Sequence, residues 1–189
     1  MNSYPQFVKV GNQKIKINTD FRVALRCNKI AEDENISDEE RSLAIIYLLF
    51  GNDGLQNEEN WTELLMLALK YLKCGKDKEN QEDNKEVDVD LEQDWNYIQT
   101  SFFSDYGIDL STKEMHWWQF YDLLCGLTDK CVLSRIRFIR TFDISQIKDS
   151  REREKWIKQK SIFALDKRIT KTAEEIRLDE LFEKQLRGE

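Results

Sequence analysis

The stretch DLEQDWNYIQTSFFSDYGIDLSTKEMHWWQFYDLLCG, residues 90–126, decides the fold class. Leu91, Trp95, Ile98, Phe102 and Tyr106 recur every three or four positions, the spacing of one face of an α-helix. Asp90 reads as an N-cap with Gln93 three residues on, and Gly107 as the stop. Ser111 and Glu114 read as a second capping box, since a Ser oxygen can accept from the backbone N–H three residues later while the Glu reaches back. The helix it opens carries Trp117, Phe120, Tyr121 and Leu124 on one stripe, with Met115 and Trp118 off it, and Gly126 ends it.

The same rhythm extends in both directions. Upstream, Thr19 or Asp20 can cap a helix carrying Phe21, Ala24, Leu25 and Ile30. Ser37 and Glu40 form a capping box for a helix with Leu43, Ile46, Tyr47 and Phe50 on one face, stopped by Gly51. Asn60 and Glu63 open a helix with Trp61, Leu64, Leu65, Ala68 and Leu72, followed by Gly75. Before these, the alternating runs Phe7–Val10 and Lys14–Ile17 flank Gly11-Asn12, and a Gly at the first central position suits a type II′ hairpin. Downstream, a helix from about Thr128 carries Val132, Ile136 and Ile139. From about Ser145 nothing stops a helix until Gly188. The fold expected is mainly α, about seven helices with a small N-terminal β-hairpin and a long charged C-terminal helix. Residues 1–144 form the body and 145–189 a charged helical arm. Within the arm, Ile162, Leu165, Ile169, Ala173 and Ile176 keep near-heptad spacing before the register shifts to Leu178, Leu181, Phe182 and Leu186.

Lys76 to Asp90 holds seven acidic and three basic residues and nothing apolar larger than two valines. Such a segment buries too little surface to offset its ordering entropy, so residues 76–90 are expected as an exposed acidic loop.

Composition narrows the function classes. In 189 residues there is one Pro, and Gly is scattered, too little punctuation for an all-β fold. The formal net charge of −7 argues against a globally basic nucleic-acid binder. That charge is polarised: residues 1–134 carry −11, residues 135–171 carry +7 and residues 172–189 carry −3. The longest apolar run, Leu43 to Phe50, is eight residues, where a membrane span needs about twenty. The opening MNSYPQFVKV lacks the basic-then-apolar pattern of a signal peptide. Cys27, Cys74, Cys125 and Cys131 show no pairing pattern and read as reduced thiols.

No pattern of reaction chemistry emerges. His116 is the one histidine, inside MHWWQF, and reads as a packed or hydrogen-bonded side chain. Cys125 lies nine residues away, about 13 Å along a helix, too far for direct proton transfer. The carboxylate pairs Glu92/Asp94 and Asp105/Asp109 are expected by chance in so acidic a chain. Cys-x-x-Cys and phosphate-loop glycine patterns are absent. The expectation is therefore no catalytic residue, no cofactor and no metal. The candidates for partner contact are Trp117 and Trp118, since adjacent helical residues point about 100° apart, and Arg137, Arg140 and Trp156 in the basic stretch. Mixed-sign charge there fits a solvated face, a protein partner (including the acidic body of another copy) or, with least support, nucleic acid.

The series FRVALRCNKI, DEERSLAIIYLLFG, EQDWNYIQTSFFSDYGIDL, MHWWQFYDLLCGL and SRIRFIRTFDIS resembles the bacteriophage gene-product-fifteen family, tail-module proteins of long-tailed phages and prophages of Gram-positive bacteria. The likeness runs from about Phe21 to about Leu165. It implies a protein encoded between the major tail protein and the tape-measure protein, where tail assembly chaperones are expected. Such a protein would coat the apolar tape measure and recruit tail-tube subunits in the host bacterial cytoplasm, with helix-in-groove capture as the physics. Two alternatives stand beside it: a structural component retained in the virion tail, and a nucleic-acid-binding regulator using the basic arm. Homo-oligomerisation is compatible with each, and the resemblance carries over no catalytic or ligand-binding residue.

Overall fold

A computed structural model describes residues 4–76 and 88–166. The hairpin pairs β1, Phe7–Val10, with β2, Gln13–Lys16, antiparallel and in the register Val8↔Ile15. Gly11 sits at φ 53° while Asn12 keeps a negative φ, as a type II′ turn requires. Two strands alone are marginal in water. Here Val10, Ile15 and Ile17 bury their side chains in the same core as the helices.

Seven α-helices follow among the described residues: α1 Phe21–Ala31, α2 Asp38–Leu55, α3 Trp61–Leu72, α4 Trp95–Tyr106, α5 Trp117–Cys125, α6 Val132–Thr141 and α7 Ser150–Phe163. The protein is thus mainly α. Asp20 caps α1 by accepting from Arg22 N–H, and Ser37 and Glu40 form the expected reciprocal box on α2. Helices α1, α2 and α3 pack in sequence, α4 packs on α6, and α6 on α7.

The two halves are joined in two ways. One is a stack of rings: Phe21 lies 4.8 Å from Phe120, which is 5.2 Å from Phe102 and 5.7 Å from Trp117. Phe21, Phe102 and Phe120 are fully buried. Rings at such separations contribute about 0.5–1.5 kcal/mol per pair beyond their burial. The other is a backbone stitch. Phe21 N–H donates to Met115 O (3.0 Å), and Trp117 N–H to Thr19 O (2.8 Å).

That stitch accounts for one correction. Ser111 and Glu114 do not open a helix. Met115 and His116 are drawn extended against residues 19–21, so α5 starts at Trp117, capped by the His116 ring. Ser111 turns instead toward Asp109. Asp90 likewise caps a turn, accepting from Glu92 and Gln93 N–H, and α4 begins only at Trp95. Gly51 bends its helix rather than ending it: at φ 64° and ψ −152° it frees the Leu49 carbonyl, which accepts from Asn18 N–H at 2.7 Å, and the chain coils on to Leu55. Helix α6 starts at Val132, not near Thr128, because Cys131 supplies its cap and Thr128 N–H is held by Asp105. Helix α7 ends at Phe163, where Ala164 turns extended. The acidic segment expected at 76–90 lies mostly, and the arm beyond residue 166 wholly, outside the described residues.

Candidate partner-binding surfaces

Helix α1 presents Leu25, Asn28, Lys29 and Glu32 along one outward face, the i, i+3, i+4, i+7 set. Opposite runs the Val89–Leu91 segment leading into α4. Between them lies a groove of about 520 Å³. Its floor is apolar, built by Leu25, Val89, Leu91 and Trp95, and its rim is charged, carrying Arg26, Lys29, Glu32 and Glu92. Trp95 is fixed from beneath by Phe21, with ring centroids 6.2 Å apart. An exposed ion pair from Lys29 to Glu92 spans the two walls. From Leu25 to Glu32 the wall runs two helical turns, about 10 Å.

The tryptophan pair is used within the chain. Trp117 is 2% exposed and donates its indole N–H to Leu72 O at 3.0 Å. Trp118 is half-buried, donates to Tyr71 O at 2.9 Å and stacks on the Tyr71 ring. The last turn of α3 thereby finds partners for carbonyls that a helix end leaves open. His116 is committed on both nitrogens. Nδ1 accepts from Trp118 N–H, so Nε2 carries the proton and donates to Pro5 O at 2.9 Å. The ring also stacks on Tyr4. An open, mostly polar cleft of about 1050 Å³ passes His116 between Asp20, Tyr47 and Asp53, and its histidine has no free nitrogen to offer a substrate.

Arg137, Arg140 and Trp156 come together where α6 and α7 meet. Arg140 makes a two-pronged pair with Asp94, both contacts at 2.7 Å, and also donates to Asp88 O and Phe163 O. Asp94 is 1% exposed and accepts in addition from Asp90 N–H. One guanidinium thus ties α6 to the start of α4, the 88–90 segment and the end of α7. Arg137 pairs with Asp88 in a half-exposed setting. Trp156 stacks on Phe142 at 4.1 Å and meets Phe138 edge-on, and Phe138 stays 56% exposed.

The carboxylate pairs separate. Glu92 faces Lys29 and Asp94 faces Arg140. Asp105 accepts from Thr128 N–H, and Asp109 from the hydroxyl and N–H of Ser111. These hydrogen bonds hold both carboxyls below the usual range. Among the described residues no group of three or more His, Cys, Asp or Glu side chains could hold a metal ion, and no helix is long and apolar enough to cross a membrane. Sequence reasoning missed the groove, whose wall Val89 fell in the stretch read as loop. It also missed Asp94 as the partner of Arg140. The available signal was an acid at the mouth of a helix, four residues after a turn-forming Asp.

A family model described as Bacteriophage Gp15 protein matches residues 2–165. No curated protein and no solved structure gives a match.

Proposed function

The chain belongs to the Bacteriophage Gp15 protein family, and from that premise we propose that it is a non-enzymatic tail assembly chaperone. In this reading it holds the tape-measure protein and recruits tail-tube subunits in the host cytoplasm. The observation that carries the reading is the groove between α1 and the Val89–Trp95 segment. Its apolar floor and charged rim fit an amphipathic helix presenting i, i+3/i+4, i+7 anchors. Each leucine-sized anchor seated on the floor contributes about 1.5–3 kcal/mol. The rim carries both signs of charge, so it admits the flanks of many helices, as a holder of a long helical client requires.

The test is co-expression with the tape-measure protein of the same phage. The native chain should raise the soluble fraction of that protein and co-purify with it. Leu25→Glu and Val89→Glu each place a carboxylate on the floor and should cut the recovered complex at least tenfold, about 1.4 kcal/mol. No gain in solubility together with no co-purification overturns the proposal. Mass spectrometry of purified virions separates it from a retained tail component, since a chaperone is scarce in the finished particle.

A further inference from the structure

Helix α7 is charged from end to end and buries no residue. A solvated helix of mixed sign usually pairs its charges at i, i+3 or i+4. Five ion pairs form among the described residues, and none lies within α7. Its cations are sorted instead. Trp156 and Lys160 face α6, where Lys160 donates to Phe142 O. Arg151, Lys155 and Lys158 recur at i, i+4, i+7 on the side turned away, all exposed, and Ile162, 63% exposed, continues the stripe. Residues 135–160 carry a net charge of +5.

The opposite sign collects at the other end of the α4/α6 pair. These helices run antiparallel: Asp94 at the start of α4 meets Arg140, and Asp105 at its end meets Thr128 just before α6. The end of α5 joins the same corner, where Tyr106 donates its hydroxyl to Leu123 O. Asp105, Asp109, Asp122 and Asp129 gather there, beside Phe103, which is 65% exposed. Residues 103–131 carry a net charge of −3. From Asp94 to Asp105 the axis advances about 16 Å, twice the screening length at physiological salt. The two surfaces of one molecule therefore do not neutralise each other.

We infer that the α7 stripe docks on the acidic α4–α5–α6 corner of a second copy of this chain, head to tail. Discrete carboxylates spaced over a folded surface can be met between Glu152 and Glu154, whereas a continuous polyphosphate backbone would be repelled by them and by the acidic body. Each face carries an exposed apolar side chain, Ile162 on one and Phe103 on the other, to exclude water from the contact. The two faces differ, so the contact is heterologous and repeats until a ring closes or a short stack ends.

Sedimentation velocity on the full chain from 1 to 100 µM (roughly the range over which weak contacts between protein surfaces populate) decides it. In about 0.05 M NaCl the native chain should associate with rising concentration, and in about 0.5 M NaCl its apparent association constant should fall at least tenfold. Arg151→Glu/Lys155→Glu and Asp122→Lys/Asp129→Lys should each be monomeric alone. Mixed, they should form a one-to-one dimer that grows no further, since each supplies the face the other lacks. Urea midpoints equal to the native chain's establish that both variants are folded. A native chain that stays monomeric at low salt overturns the inference. So does a reversed variant that still self-associates, or a mixture that gives no dimer. A monomeric chain whose α7 stripe retains duplex DNA overturns it in favour of nucleic acid.

Discussion

Replacing Arg140 by Met removes the guanidinium while keeping much of its aliphatic volume. In the native protein that group holds Asp94 through two 2.7 Å contacts, and the carboxylate is 1% exposed. The variant leaves Asp94 with one donor, Asp90 N–H, and leaves the Asp88 and Phe163 carbonyls without their Arg partner. Breaking a buried pair from one side costs about 3–5 kcal/mol, most of it the uncompensated charge. For a domain of this size each kcal/mol moves Tm by about 2–4 °C, so the fall should be about 6–20 °C. Urea titration followed by far-UV circular dichroism and by tryptophan fluorescence measures it. Arg137→Met is the control: its partner Asp88 and the guanidinium are both partly exposed, and loss should stay under about 1 kcal/mol. Asp94→Leu/Arg140→Met should recover part of the deficit, because no charge then remains buried, and should sit about 1–3 kcal/mol below native for the orphaned Asp90 N–H. An Arg140→Met loss no larger than that of Arg137→Met, or a double variant equal to the sum of its singles, would refute the reasoning.

Three further outcomes follow from the described side chains. Burial pushes the Cys27 thiol up to about 12, and burial likewise lifts Cys74 to about 12, while Cys125 is exposed. At pH 8 a thiol-reactive dye should therefore label Cys125 first and Cys27 only on unfolding. Unfolded thiols ionise near 9, so the stability these two supply is intact below that pH and lost progressively as pH climbs toward 12, which alkaline urea midpoints should show. Tyr71 buries a hydroxyl with no hydrogen-bond partner, so Tyr71→Phe should hold or raise stability, by up to about 1 kcal/mol, in the same titration. Ser37→Ala removes one arm of the α2 capping box and should cost about 1 kcal/mol by thermal melt, whereas Ser37→Gly should cost a few tenths.

The helical stripes were legible because their periodicity is local: Trp95, Ile98 and Phe102 face the core whatever surrounds them. The starts of α4 and α5 were not. Asp90 and Ser111 have capping chemistry, but so does any Asx turn, and what selected Trp117 as the first helical residue was a pair of backbone bonds from residues nearly a hundred positions away. Gly51 misled for a related reason. A positive φ ends a helix unless another segment accepts the exposed carbonyl, and here Asn18 N–H does so. Of the five candidates for partner contact, the charges and rings were chosen by residue type alone. The structure employs Trp117, Trp118 and Arg140 internally, since a large side chain with one polar handle suits an interior helix end as well as an interface. The groove was invisible because its two walls belong to segments far apart in the chain.

The stitch between Thr19–Phe21 and Met115–Trp117 also sets a timetable. A ribosome adding about 5–20 residues per second needs several seconds to travel from one partner to the other. Throughout that interval Phe21 lacks Phe120, the ring it stacks on. The first helices therefore emerge with their apolar sides uncovered and complete their burial only near the close of translation. A transcript truncated before Trp117 would yield fragments fit for proteolysis rather than a working half, and a trap for nascent-chain-binding factors should find this polypeptide longest in its early register.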